Sequence, residues 1–130
     1  MLLSLTEDRA MTHPWQHIEV DQRGDVCCVR LRRFRIEEPD IPSLASELLS
    51  LGSTPGCKKI ALSLGPRPPE CLYSIFLAKL MTVQRRLAEH GSTLVLCEVS
   101  PEVHAIFKVC RFAEHFQFVP DFDAATAEPV

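Results

Sequence analysis

Ser74 and Cys71 are the residues of this 130-residue chain whose types and placement most invite a chemical reading. Both belong to the stretch "LSLGPRPPECLYSIFLAKL", residues 62 to 80. It begins as an apolar strand, turns at Gly65 through Pro66, Pro68 and Pro69, and resumes as a helix with Tyr73, Ser74 and Phe76 in its first turn. A serine at a helix N-terminus meets unpaired backbone N–H groups and the positive end of the helix dipole. A phosphate there gains about 0.3–1 kcal/mol at an exposed site. A thiol in the same loop could be held as thiolate by the same field. Covalent catalysis asks for more, because a nucleophile needs a base within reach. The five histidines, at 13, 17, 90, 104 and 115, are scattered, with no Ser, Cys or carboxylate partner at a recognisable spacing. No catalytic residue is therefore predicted, and a thiol enzyme built on Cys71 is a minority alternative that lacks its base.

The remaining motifs exclude further classes. The cysteines at 27, 28, 57, 71, 97 and 110 contain no C-x-x-C pair, and Cys27 and Cys28 point to opposite faces of a strand. No histidine sits at a zinc-ligand offset from a cysteine pair, so no metal site is predicted, and the thiols are read as reduced and structural. "LGPRPPE" lacks the second glycine and the lysine of a phosphate loop, so no cofactor is predicted. A formal net charge of -3 gives no pull toward nucleic acid or anionic membrane. Arg30, Arg32, Arg33 and Arg35 form a short basic run, read as a solvated strand edge. Glu37, Glu38 and Asp40 form an acidic helix approach that suits the dipole. The opening residues are too short an apolar run, without a basic leader, for a signal peptide or membrane span, which predicts a cytoplasmic protein.

The elements that must position these residues are legible from periodicity. "WQHIEVDQRGDVCCVRLR" reads as a hairpin turning at "DQRGD", with Val26, Cys28 and Leu31 taken as one face. Asp40 and Pro42 open a helix in which Leu44, Leu48 and Leu51 recur, with Gly52 as its stop. "KKIALSL" is a strand buried on both faces. From Leu72 to His90 a long helix carries Leu72, Phe76, Leu80, Val83 and Leu87 along one face. "STLVLCEV" is a strand. Ser100, Pro101 and Glu102 give the N-cap, first turn and dipole signals of another helix. A short strand "FQFVP" and a terminal helix "DFDAATA" follow. This alternation predicts an α/β fold with a mixed sheet of four to five strands flanked by about four helices. The domain is placed at residues 15–126, with 1–14 a disordered N-terminal extension and 127–130 a C-terminal tail.

"GSTLVLCEVSPEVHAIFKVCRFAEHFQFVPDFDAA" resembles the second half of STAS domains, the anti-sigma factor antagonist group. "GDVCCVRLRRFRIEE" resembles their opening strand and "CKKIALSL" their central strand, so the resemblance runs from about residue 17 to 126. In those antagonists the central strand leads through a loop to Asp-Ser-Ser-Gly-Leu-Gly, and a partner kinase phosphorylates the second serine. The matching positions here are Tyr73, Ser74, Ile75, Phe76 and Leu77, of which Ser74 and Leu77 keep the family residue. Ile75 holds the phosphoacceptor position, Ser63 replaces the usual aspartate at the end of the central strand, and the loop is longer and richer in proline.

The resemblance implies a non-enzymatic regulatory module that binds an anti-sigma factor or a GHKL-type serine kinase-like protein, as a monomer or weak homodimer. Its contact surface is expected on the loop from Gly65 to Leu72 and the first helical turn from Tyr73 to Leu77, with Arg67, Glu70, Tyr73, Ser74 and Phe76 singled out and Ser74 the one candidate phosphoacceptor. The alternative is a ligand-sensing module with a nucleotide or small molecule near the C-terminal ends of the strands. Incubated with ATP and a cognate kinase, the protein is expected to gain little or no phosphate. Stoichiometric phosphoserine at Ser74 by peptide mapping would reverse that expectation.

Overall fold

The structure, a computed structural model, describes residues 15–127, and the expected extension over 1–14 lies outside the described residues, as does the tail from residue 128. The hairpin comprises β1 (Ile18–Arg23) and β2 (Val26–Leu31), paired antiparallel. α1 (Asp40–Gly52) leads to β3 (Lys59–Ser63), α2 (Tyr73–Glu89) to β4 (Thr93–Cys97), and α3 (Pro101–Val109) to β5 (Gln117–Val119). α4 (Phe122–Ala127) closes the described chain. The sheet runs in the order β1-β2-β3-β4-β5, parallel from β2 onward. Each helical crossover thus returns the chain to the same end of the sheet. The loops after β2, β3 and β4 therefore gather at one end of the sheet.

The period of two sorts the strand residues between two cores. Cys27, Val29, Ile60, Leu62, Leu94 and Leu96 face one side, beneath α1, α2 and α3, where Leu48, Leu80 and Phe107 are fully buried. Val26, Cys28, Ala61, Val95 and Cys97 face the other, covered by Phe122 and Ala125 of α4. Lys59 is also on that second face and is only 5% exposed. Its Nζ donates to the Ala125 carbonyl at 3.2 Å, at the C-terminal end of α4, where the dipole favours a cation. α1 and α2 pack closely at Gly52, where an added Cβ would stand 2.1 Å from Leu87 Cδ2. That glycine is the last residue of α1, and its role is packing as much as helix termination.

The structure corrects three sequence-based expectations and adds one element. Leu31 lies five residues from Val26, an odd offset, so it packs on the α1–α2 side with Cys27 and not with Val26 and Cys28. Leu72 is the N-cap of α2 in extended conformation, off the helical stripe, and 55% exposed. Arg30 is not on an edge, because β2 lies between β1 and β3 and pairs Arg30 with Ser63. A 3-10 turn at Ala113–His115, unsignalled in the sequence, precedes β5.

Leu80 is 2% exposed on the stripe that α2 buries, so Leu80→Ala should destabilise the fold by about 2–5 kcal/mol in urea or thermal denaturation. Val109, 83% exposed at the end of α3, is the control: its change to Ala should stay within about 0.5 kcal/mol.

Candidate functional site

The end of β3 is closed by a polar cluster that joins three strands. Ser63, 1% exposed, donates its hydroxyl to Glu98 Oε1 at 2.5 Å, and Arg30 Nη1 donates to the same oxygen at 2.7 Å. The Gly65 backbone N–H donates to Ser63 Oγ at 3.1 Å. Arg30 lies over the Phe122 ring, 4.7 Å from its centroid, which fixes the guanidinium from the α4 side. Glu98 itself adopts φ 54°, a left-handed conformation uncommon for a side-chain-bearing residue, and its N–H donates to the Pro120 carbonyl at 3.0 Å. Gly65 leaves the strand against that turn, where an added Cβ would stand 2.5 Å from the Glu98 carbonyl oxygen. Only glycine lets the chain exit there.

From Gly65 the loop is tied to the segment that joins β2 to α1. Glu70 N donates to the Phe34 carbonyl at 2.7 Å and Ile36 N to the Glu70 carbonyl at 2.9 Å, a parallel bridge between Arg35 and Glu70. Arg35 Nε and Glu70 Oε1 face each other at 3.7 Å, an exposed pair of small energetic weight. Arg67 stands exposed between its prolines with its guanidinium 3.5 Å above the Phe34 ring centroid. Stacking leaves the in-plane N–H donors of such a guanidinium pointing outward. The Tyr73 hydroxyl donates to the Pro69 carbonyl, closing the loop onto the first turn of α2.

The sequence-predicted surface is thereby divided. Arg67, Glu70 and Ser74 are exposed and near one another along the chain, and Tyr73 is half-buried with its ring edge-on to Phe76 at 6.4 Å between centroids. Phe76 is 1% exposed and packs in the main core, so it is not available for the contact expected of it: its position four residues before Leu80 puts both on one face. The apolar surface at this turn is instead Leu72 and Ile75, 55% and 39% exposed. Ile75 also borders an open groove of about 360 Å³ with Pro39, Ile41, Pro42 and Lys79. Leu72 and Ile75 lie within the stretch expected to make contact, residues 65–77, without being singled out there, and Phe34 lies outside it. The N-cap position of Leu72 was the signal that could have found it, since a residue just outside a helix does not follow its stripe.

The site offers little for covalent chemistry. Burial pushes the Cys71 thiol up to about 11, so at neutral pH it is protonated and a poor nucleophile. Burial, with the nearby Cys71, raises Tyr73 to about 12. His104 packs edge-on to Phe118 at 4.7 Å between centroids, a structural placement. The Ser74 hydroxyl makes no hydrogen bond among the described residues.

No protein-family model matches the chain, and no curated protein sequence matches it. Solved structures do. An anti-sigma-factor antagonist (STAS) domain protein from Planctomyces limnophilus superposes with a TM-score of 0.68 at 22% identity, over 85% of this chain and 96% of that one. The anti-sigma factor antagonist SpoIIAA of Bacillus, in its unphosphorylated form, gives 0.64 at 11% identity, over 83% and 92%. A variant of RsbS from Moorella thermoacetica gives 0.65 at 15%, over 85% and 92%. The chain has the STAS fold, α/β, with a five-stranded mixed sheet and four α-helices among the described residues. No helix among the described residues is long and apolar enough to cross a membrane.

The Ser63 hydroxyl bond, followed by the Arg30 hydrogen bond and charge, holds the Glu98 carboxyl below its ordinary 4.5 against the opposing effect of burial. A carboxyl depressed in the folded state stabilises fully above its unfolded pKa, and that stability is lost as pH falls through the folded pKa. Glu98→Gln should therefore cost about 1–2 kcal/mol at neutral pH for a partly exposed charged hydrogen-bond pair. The gap in melting temperature from wild type should narrow as pH is lowered from about 5 toward 3. A gap constant over that range would remove Glu98 from this role.

Proposed function

We propose that this STAS-fold chain is a non-enzymatic regulatory module of the anti-sigma factor antagonist kind, acting by binding another protein. The observation that carries the reading is an exposed apolar pair, Leu72 and Ile75, that follows the stacked Arg67 along the chain on a segment already held by backbone hydrogen bonds. Arginine and large apolar side chains anchor interfaces, and a surface ordered before binding loses less entropy on binding. The prolines at 66, 68 and 69 act in the same direction by narrowing the unbound ensemble of the loop. Glu70 and Ser74 border this surface, and Tyr73 supports it from beneath through its bond to Pro69.

The module works without the usual serine switch. Ile75 at the family's acceptor position carries no hydroxyl, and its exposed side chain supplies contact area instead of a phosphate site. The partner is an anti-sigma factor or a GHKL-type serine kinase-like protein, in the cytoplasm, and the module itself is a monomer or weak homodimer. SpoIIAA, described as an anti-sigma factor antagonist, is a structural neighbour that supports this class of partner.

A second reading, ligand sensing, is favoured by a cleft of about 370 Å³ lined by His17, Leu31, Arg33, Arg35, Asp40 and Leu44 at the same end of the sheet. A thermal-shift panel of nucleotides and metabolites separates the two: a shift saturating with one compound supports sensing, and a flat panel removes it.

Partner capture on the immobilised chain from its native lysate, identified by mass spectrometry, tests the main reading. Arg67→Glu should reduce capture of that partner at least tenfold, since loss of an interfacial charge pair costs about 2 kcal/mol or more. The same change loses an exposed cation–π contact worth about 0.5–1 kcal/mol, so melting should fall by only a few degrees. Ile75→Asp should weaken capture in parallel. Wild-type capture by both variants would place the contact surface elsewhere.

A further inference from the structure

Arg30, Phe34, Leu64, Pro66 and Arg67 line a cleft of about 200 Å³ between the end of β2 and the loop after β3. Its charges do not cancel. Glu19, also on the wall, faces Arg32 Nη1 at 3.6 Å, and Arg30 Nη1 donates to Glu98 Oε1 at 2.7 Å, so each of these two charges is met by an opposite one. Arg67 makes no hydrogen bond or ion pair among the described residues, which leaves the cleft a single unmatched positive charge. Both guanidiniums are held in place before any ligand arrives. Arg67 lies 3.5 Å above the Phe34 ring centroid, and Arg30 is fixed by Glu98, by the Gly65 carbonyl at 3.4 Å and by the Phe122 ring at 4.7 Å. A guanidinium stacked through its face keeps the N–H groups of its edge for a carboxylate fork. Arg30 also has donors to spare, because its Nε and Nη2 make no hydrogen bond among the described residues.

We propose that this cleft binds a small organic monocarboxylate, its carboxylate on the edge of Arg67 and its apolar body against Phe34, Leu64 and Pro66. The single unmatched charge selects a monoanion, since a phosphate dianion would bring a second negative charge toward Glu19 and Glu98 with no cation left to meet it. The walls select the body. Phe34 is half-buried and Leu64 is 1% exposed, so an apolar group seated on them leaves water, whereas a bare inorganic anion gains nothing there. This cleft differs from the larger one at His17 and Arg33, with which it shares Leu31. An acid bound here would occupy Arg67 and compete with a protein partner on that surface. The site itself does not depend on the partner reading.

The full chain, labelled with nitrogen-15, is titrated at pH 7 and low salt with benzoate, with its neutral isostere benzamide and with inorganic phosphate, and followed by amide chemical shifts. Benzoate should give saturable shifts centred on Phe34, Leu64, Gly65 and Arg67, with a dissociation constant of roughly 1–10 mM for so small a ligand. Benzamide should give none over the same range, and phosphate should bind at least threefold more weakly than benzoate. Arg67→Gln should weaken benzoate at least tenfold, while Arg33→Gln, in the other cleft, should leave it unchanged. Each control separates one part of the claim. Equal responses to benzoate and benzamide would remove the charge, and phosphate binding as tightly as benzoate would remove the monocarboxylate. Wild-type affinity in Arg67→Gln, shifts centred on His17 and Arg33, or no saturable shift by about 50 mM benzoate would overturn the site itself.

Discussion

The end of this domain where β2, β3 and β4 finish depends on one carboxylate. Glu98 accepts from Ser63 on β3 and Arg30 on β2 while its own backbone continues from β4, so three parallel strands are joined where their side-chain packing ends. Hydrogen bonds to an ionised group are among the stronger ones a protein makes, and here they span neighbours that the backbone ladder alone would leave to splay at the strand ends. The cluster also sets the course of the following loop. Gly65 donates to Ser63 Oγ and passes so close to Glu98 that a side chain there would collide with backbone. A serine fits the position because its hydroxyl both accepts from Gly65 and donates to Glu98, which an ionised aspartate could not do.

What leaves that anchor is a loop with the order of secondary structure and the exposure of a surface. Backbone pairing with residues 34–36, the Arg67 stack on Phe34 and the Tyr73 bond to Pro69 fix it at three separate points. Each contact is modest, and together they order the segment in the free protein, which lowers the entropy cost of any binding there. The two sheet faces serve this end unequally. α1, α2 and α3 cover one with a continuous core of large aliphatic and aromatic side chains, while α4 covers the other with Phe122 and Ala125. Phe122 also supports Arg30, so the lightly covered face still contributes to the anchor.

Local signals were legible and long-range ones were not. Ser100, Pro101 and Glu102 start α3 as their types imply, with Ser100 Oγ accepting from Val103 N at 3.2 Å. Phe76, Leu80, Val83 and Leu87 bury one face of α2, as their 3.6-residue period requires. That same period places Phe76 in the core, whereas aromatic character alone would suggest a contact residue. Leu72 differs because it is a cap, and only the start of the helix, one residue later, reveals that. Arg30 reads as part of a basic run until β3 pairs with β2. Glu98 and Ser63 lie 35 residues apart, a juxtaposition that exists only once β3 and β4 align Ser63 with Cys97. The STAS resemblance was carried by the order of elements and short matching stretches, and the same order produces the superposition on solved STAS structures.

The central claim is that the contact surface is ordered before the partner arrives. Amide hydrogen exchange of the free chain, followed residue by residue and repeated with the captured partner bound, tests it most directly. Ile36 and Glu70 N–H groups, each held by the opposing segment, should exchange slowly in the free protein, with added protection on binding confined to residues 66–75. Exchange at Ile36 and Glu70 as fast as in an open loop, slowing only when the partner binds, would contradict a preordered surface.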